Sequence, residues 1–179
     1  MRGLLLCLCL MGCSSVVMDT VDELEQLSPL EADPSQIAVA IDLPKGFAIY
    51  PESAILTMAV SRKDLGQSQS EEFVLQQSGV ERAVFKIAPT DLARLTQVQD
   101  QAHRWEVENP RATRGSVAVR ALPCVLDSSA DRSETFSVSL QLAANGPFMP
   151  LINQAKVSSV LSRSGLKELP VCPIELQSH

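Results

Sequence analysis

The feature that most constrains this chain is an alternation of apolar and polar residues that restarts repeatedly along its length. Ile37, Val39, Ile41 and Leu43 fall on one face of an extended segment, with Ala38, Ala40 and Asp42 on the other. A period of two is the signature of a β-strand with one buried face. The pattern returns at Leu56, Met58 and Val60, at Phe73 and Leu75, and at Ala83, Phe85 and Ile87. It returns again at Val117, Val119 and Ala121, and at Phe136, Val138, Leu140 and Leu142. Six strands are therefore a minimum. Turn formers separate them at Pro44-Lys45-Gly46, Asp64-Leu65-Gly66, Ser78-Gly79, Asn109-Pro110 and Asn145-Gly146-Pro147, where glycine and proline supply the backbone angles that turns need. The short Ser78-Gly79 break predicts a hairpin.

One stretch departs from the alternation. From Asp91 to Trp105, the residues Leu92, Leu95, Val98, Ala102 and Trp105 recur at steps of three or four, as one face of a helix does. Thr90 suits the N-cap and Asp91 the first turn. Residues 150–164 fit a helix, bracketed by Pro150 and Gly165, and fit a strand equally well through Val157 and Leu161. Many short strands with one covering helix predict a mainly β fold. The expected form is an antiparallel β-sandwich or half-open barrel, with a single α-helix over residues 91–105. Residues 36–179 are expected to form one domain, and no internal repeat is visible.

Composition agrees, since 45% hydrophobic and 20% charged residues support a packed core rather than disorder. Fifteen basic residues face 21 acidic ones, which argues against a phosphate-binding surface for nucleic acid. Six of the acids lie between Ser14 and Ser35, where there is no Lys or Arg, so the main domain is nearly neutral. Aromatics make up 4% of the chain, with Trp105 and Tyr50 the single examples of their kinds. Stacking platforms for bases or sugars are not expected.

The first residues read as an export signal: Met1-Arg2-Gly3 is positively charged, Leu4 to Met11 is uncharged, and Gly12 precedes Cys13. An eight-residue apolar helix rises about 12 Å against roughly 30 Å of bilayer hydrocarbon, so this segment is too short to span. Leu10-Met11-Gly12-Cys13 resembles the lipobox of bacterial lipoproteins, with Met11 a less usual choice at its position. The resemblance implies a signal peptide of residues 1–12, cleavage before Cys13, and acyl chains, palmitate among them, attached to Cys13. Two or three long chains hold a protein on a membrane far better than one. Ser14 and Ser15 follow the cysteine, and the absence of Asp at position 14 implies, by the same resemblance, transport to the outer membrane. Residues 13–35 then form an acidic, lipidated tether. Val17, Val21 and Leu24 could alternatively form a short docking helix.

Export places the body cysteines, Cys124 and Cys172, in an oxidising compartment, where a disulfide is expected. Two separate buried thiols are the alternative. No cofactor or metal site is indicated: His103 and His179 are the only histidines, and nothing spaces them as ligands.

Nucleotide-binding, zinc-hydrolase and nucleophile-elbow motifs are absent from the sequence. Ser164-Gly165-Leu166-Lys167 matches the Ser-x-x-Lys spacing of penicillin-recognising enzymes, without the partner motifs Ser-Asp-Asn and Lys-Thr-Gly. His103 with Asp100 could form a base and its orienting carboxylate, although both lie away from the apolar stripe of the helix. Glu106 and Glu108 could act as paired carboxylates beside Trp105. The solvated and structural readings of these residues are simpler.

Three functions remain open. The first is a non-enzymatic lipoprotein on the periplasmic face of the outer membrane, binding another envelope protein as an assembly or secretion accessory. Leu43-Pro44-Lys45-Gly46 followed by Ala54-Ile55-Leu56-Thr57-Met58 resembles small β-sandwich lipoproteins related to secretin pilots, and no site is carried over from that resemblance. The second is a carrier of a small apolar ligand or lipid inside a half-open barrel. The third is an envelope hydrolase using Ser164 or His103.

Overall fold

The computed structural model describes residues 30–78, 83–164 and 166–177. Cys13, the expected tether up to residue 29, and Gly79 of the expected hairpin turn lie outside the described residues. The fold is mainly β. In chain order the strands are β1 (Ala38–Asp42), β2 (Phe47–Ile49), β3 (Ile55–Arg62), β4 (Gln67–Gln77), β5 (Ala83–Ile87), β6 (Thr113–Arg120), β7 (Pro123–Val125), β8 (Thr135–Gln141) and β9 (Met149–Lys156). The helices are α1 (Leu92–Glu108), α2 (Ser158–Ser164) and α3 (Ile174–Gln177).

Seven strands form one antiparallel sheet in the order β6-β3-β4-β5-β1-β8-β9, curled into a half-barrel. Of the two expected forms, the described residues take the half-open barrel. The curl is built on β4. Its first eight residues pair with β3, from Arg62↔Gln67 to Ile55↔Val74. Its last three pair with β5, from Leu75↔Ile87 to Gln77↔Phe85. Strands β4 and β5 are the expected hairpin, closed by a hydrogen bond from Ser78 N to Val84 O (2.7 Å).

The alternating residues face inward as their spacing requires. Leu56, Met58 and Val60 of β3 are buried while the residues between them are half-exposed. Leu56 and Met58, with Ile37, Val39 and Ile41, Phe73 and Leu75, Phe85 and Ile87, and Val138 and Leu140, form one core. Burying each such aliphatic side chain contributes about 1.5–3 kcal/mol. The helix α1 covers this core with Leu95 and Val98 and seals one end of it with Ala102 and Trp105 against Val60.

The helix begins differently from expectation. Thr90 is not its N-cap: a 3-10 turn at Pro89–Asp91 leads into it, because proline presets the turn one residue earlier. Asp91 takes the cap position without a side-chain cap bond and pairs instead with Arg94 (3.0 Å). The helix also runs a turn beyond Trp105, to Glu108. Ahead of β1, Leu30 packs against Val60, Ala102 and Trp105 and occupies the space above Gly115 of β6. Buried Gln99 of α1 donates to Ala32 O (2.7 Å).

Residues 150–164 resolve into both candidate structures, the strand β9 followed by the helix α2. Between β8 and β9 the register shifts at Phe136/Val138 and again at Val138/Ser139, and Gln154 takes a left-handed φ of 51°. Irregularities of this kind bend a strand and re-aim its side chains.

Strands β2 and β7 form a separate two-stranded ribbon. It is reached through Gly46, whose φ is +80° and where a Cβ would come within 2.5 Å of the Ala130 backbone nitrogen. Glycine is the residue that fits there. The C-terminal segment joins the ribbon through a Val125↔Val171 bridge and through the Cys124–Cys172 disulfide. Both half-cystines are buried. Leu169 packs beside them on Phe47 and Val157.

The disulfide joins residues 48 positions apart, and on the chain-entropy account such a loop stabilises the fold by about 4 kcal/mol. The Cys124→Ala/Cys172→Ala double variant should lose about that much in a urea titration, with the denaturation midpoint falling and the slope rising as the unfolded chain, no longer crosslinked, exposes more surface. A loss below about 1 kcal/mol would show that the C-terminal segment is held mainly by Leu169.

Candidate functional site

A cavity of about 550 Å³ opens at one end of the half-barrel. Ile41 at the end of β1 and Val138 of β8 lie opposite each other in register, and both line it. Phe136 and Ile152, at the shifted register of β8 and β9, extend this wall. Across from them, Val119 and Arg120 end β6, with Ile55 at the start of β3 paired to Arg120. Ile49, Ala121, Leu122 and Pro123 of the ribbon and its approach, Leu43 just after β1 and Val160 of α2 add to the lining.

This lining is almost wholly aliphatic, with Ser53 and Arg120 its polar members. The Ser53 hydroxyl is committed to the backbone: it donates to Tyr50 O (2.6 Å) and accepts from the Leu122 N–H (3.1 Å). It thereby clamps the loop before β3 to the start of the ribbon. Arg120 turns its side chain to the solvent face of the sheet, where it forms a two-pronged pair with Glu72 of β4 at 2.8 and 2.6 Å. Small-molecule sites are typically concave, apolar and roughly 300–1,000 Å³ in size. A second cavity of about 300 Å³ lies nearby, lined in part by Phe47, Phe85 and Leu176, and shares Ile41, Leu43 and Ile49 with the first.

The residues singled out in the sequence for catalysis lie elsewhere. His103 and Asp100 are exposed on α1. Lys167 is exposed, and the side chain of Ser164 lies outside the described residues. Glu106 is exposed, whereas Trp105 is buried in the seal between helix and sheet. Among the described residues, no group of three or more His, Cys, Asp or Glu could hold a metal ion. No helix among them is long and apolar enough to cross a membrane.

Glu108 is exposed, as Glu106 is, but it is also ion-paired with Arg62 of β3. Its Oε2 accepts from Nη1 of Arg62 at 2.7 Å. Arg62 continues the inward face of β3 and is 6% exposed. A buried cation requires charged partners, and Asp64 supplies the second. Asp64 Oδ2 accepts from Arg62 Nη2 (3.3 Å) and from Asn109 Nδ2 (2.9 Å). Arg62 Nε lies 2.8 Å from Asp64 Oδ1, off the line of a hydrogen bond. Arg62 Nη1 also reaches the Trp105 carbonyl (3.4 Å), placing positive charge at the C-terminal end of α1, where the helix dipole favours it.

Hydrogen bonding to Glu108 is the main cause raising the Arg62 pKa above its ordinary value. Burial pushes the Asp64 carboxyl up, but the hydrogen bonds from Arg62 and Asn109 and the Arg62 charge outweigh it, holding Asp64 below the ordinary 3.8. A depressed carboxyl contributes stability that is complete above its unfolded pKa and is lost as pH falls through the lower folded value. Asp33, Asp127 and Asp131 are also held low by bonds from Ser35, Ser129 and Ser133, so part of the acid sensitivity is independent of Asp64. In denaturant titrations at about pH 7 and about pH 3, the wild type should lose more stability on acidification than Asp64→Asn. Equal losses would show that the Arg62 cluster does not sense pH through Asp64.

Comparison with known proteins finds no protein-family model that matches the chain, and no curated protein or solved structure with significant similarity to it.

Proposed function

We propose that this chain is a lipid-tethered protein of the bacterial envelope whose half-barrel binds a small ligand with an apolar body. The observation that carries the reading is the cavity of about 550 Å³ walled by aliphatic side chains. Each methylene moved from water into such a site contributes roughly 0.8 kcal/mol, so a chain of about ten methylenes offsets the several kcal/mol that association costs. The site is walled by hydrophobic side chains, which suits binding rather than bond-breaking.

The tether rests on the lipobox resemblance at Leu10-Met11-Gly12-Cys13, with acyl chains on Cys13 and the domain on the periplasmic face of the outer membrane. The Cys124–Cys172 disulfide fits an oxidising compartment. A second reading has its own support: β6 and β9 are the terminal strands of the sheet, and an open strand edge can capture a strand of another envelope protein.

Two experiments test the proposal. Labelling cells with radioactive palmitate should mark the wild type and leave Cys13→Ser unmarked; equal labelling of both would remove the tether. Isolated envelopes should be illuminated with a neutral photoreactive probe, hexadecanol bearing a diazirine. Crosslinks should map to the cavity walls around Leu122 and Ile152, and Ala121→Trp, which fills the space, should cut the yield by about five-fold. Crosslinks scattered over the outer surface would overturn the carrier reading and favour the strand-capture one.

A further inference from the structure

We infer that the free edge of β6 takes up an extended segment of another envelope protein, one that alternates apolar and acidic residues. The inference rests on the strand-capture reading and is independent of whether the cavity holds a ligand. The two terminal strands of the sheet differ as templates. Strand β9 is guarded: Pro150 within it has no N–H, its register against β8 shifts, and Gln154 takes a left-handed φ. Strand β6 has none of these devices. It is eight residues long and pairs with β3 without a break, from Arg62↔Thr113 to Ile55↔Arg120.

One bond sets which backbone groups of β6 face outward. Lys63 N donates to Ala112 O (3.0 Å), and these two residues are the next pair in the β3–β6 register. In an antiparallel ladder, hydrogen-bonded pairs alternate with non-bonded ones. Arg114, Ser116, Ala118 and Arg120 therefore turn their backbone groups toward β3, and Gly115, Val117 and Val119 turn theirs to the open side. Thr113 agrees, because its N–H goes to Asn109 O instead of to β3.

The side chains then select the partner's chemistry. Val117 and Val119 sit opposite buried Met58 and Leu56 and are half-buried, whereas Arg114 and Arg120 project from the other face and are exposed. Residues 111–120 contain three arginines and no acid. The Arg114 guanidinium donates to the carbonyls of Pro110, Arg111 and Thr113 and meets no carboxylate among the described residues, while Arg120 pairs with exposed Glu72. An incoming antiparallel strand would best set an acid opposite Arg120, apolar residues opposite Val119 and Val117, and a second acid opposite Arg114. Cross-strand pairs of these kinds stabilise an added strand. A second copy of β6 would bring further arginines to this face and no acid, which disfavours self-pairing.

The test titrates the full chain with a fluorescent, end-blocked peptide, Glu-Val-Thr-Val-Ser-Thr-Glu, and follows amide hydrogen exchange of β6 in parallel. Binding should slow exchange at Gly115, Val117 and Val119. Replacing both glutamates of the peptide by lysine should weaken binding about ten-fold, and Arg114→Glu/Arg120→Glu should reverse that preference. N-methylation of the two peptide valines should abolish binding, whereas N-methylation of the first threonine, whose N–H would point away from β6, should not. Equal binding of the acidic and lysine peptides would overturn the acidic class and leave strand capture standing. Binding that ignores which amides are methylated would show a contact other than edge pairing and overturn the inference. Val117 and Val119 amides already protected before peptide is added would overturn it too: protection that rises with protein concentration assigns the edge to a second copy, and protection that does not assigns it to the chain's own acidic residues 14–35. No binding of either peptide to an unprotected edge would overturn both the inference and the strand-capture reading.

Discussion

Strand β4 is the element on which the rest of the architecture depends. A single chain segment cannot hydrogen-bond along its whole length to β3 and also turn away from it. Handing its last three residues to β5 forces the sheet to bend where the partners change. The bend brings the inner faces of β3 and β6 over those of β1 and β8, so that sixteen buried residues can share one core. It also keeps β6 and β9 apart as the two terminal strands. The cavity is the consequence: a curled sheet that does not close leaves apolar side chains at its mouth with nothing opposite them.

The ribbon of β2 and β7 partly compensates. It lays Ile49, Leu122 and Pro123 over the mouth, and the ribbon is in turn secured by the buried Cys124–Cys172 bridge and the Val171 contact. A wall that contributes to a binding site but belongs to a separate two-stranded element needs such support, because an isolated hairpin is marginally stable in water. Here the crosslink supplies in covalent form what a longer strand would supply by hydrogen bonding.

Much of the fold could be read from the residues. The six segments with a period of two are β1, β3, β4, β5, β6 and β8, and the single stretch with helical spacing is α1. Strands β2 and β7 escaped because three residues are too few to display a period. Strand β9 could be read only as one of two alternatives, because its shifted register and the left-handed Gln154 break the alternation. The cavity was not legible, since Ile41, Val138 and Ile152 are the same residue types whether they meet a neighbour or an empty space. Arg62 was legible but missed. It falls in phase with Leu56, Met58 and Val60, and a cation on an apolar face implies acids waiting to meet it, here Asp64 and Glu108.

Leu30, resting above Gly115, also sets where the chain enters the domain. The described chain arrives at the seam between α1 and β6, whereas the cavity lies at the Arg120 end of the same strand, roughly 16 Å further along at about 3.3 Å per residue. The two ends of β6 therefore serve different contacts: one is packed by the incoming chain, and the other opens onto the cavity mouth, which a contact made at Leu30 leaves uncovered.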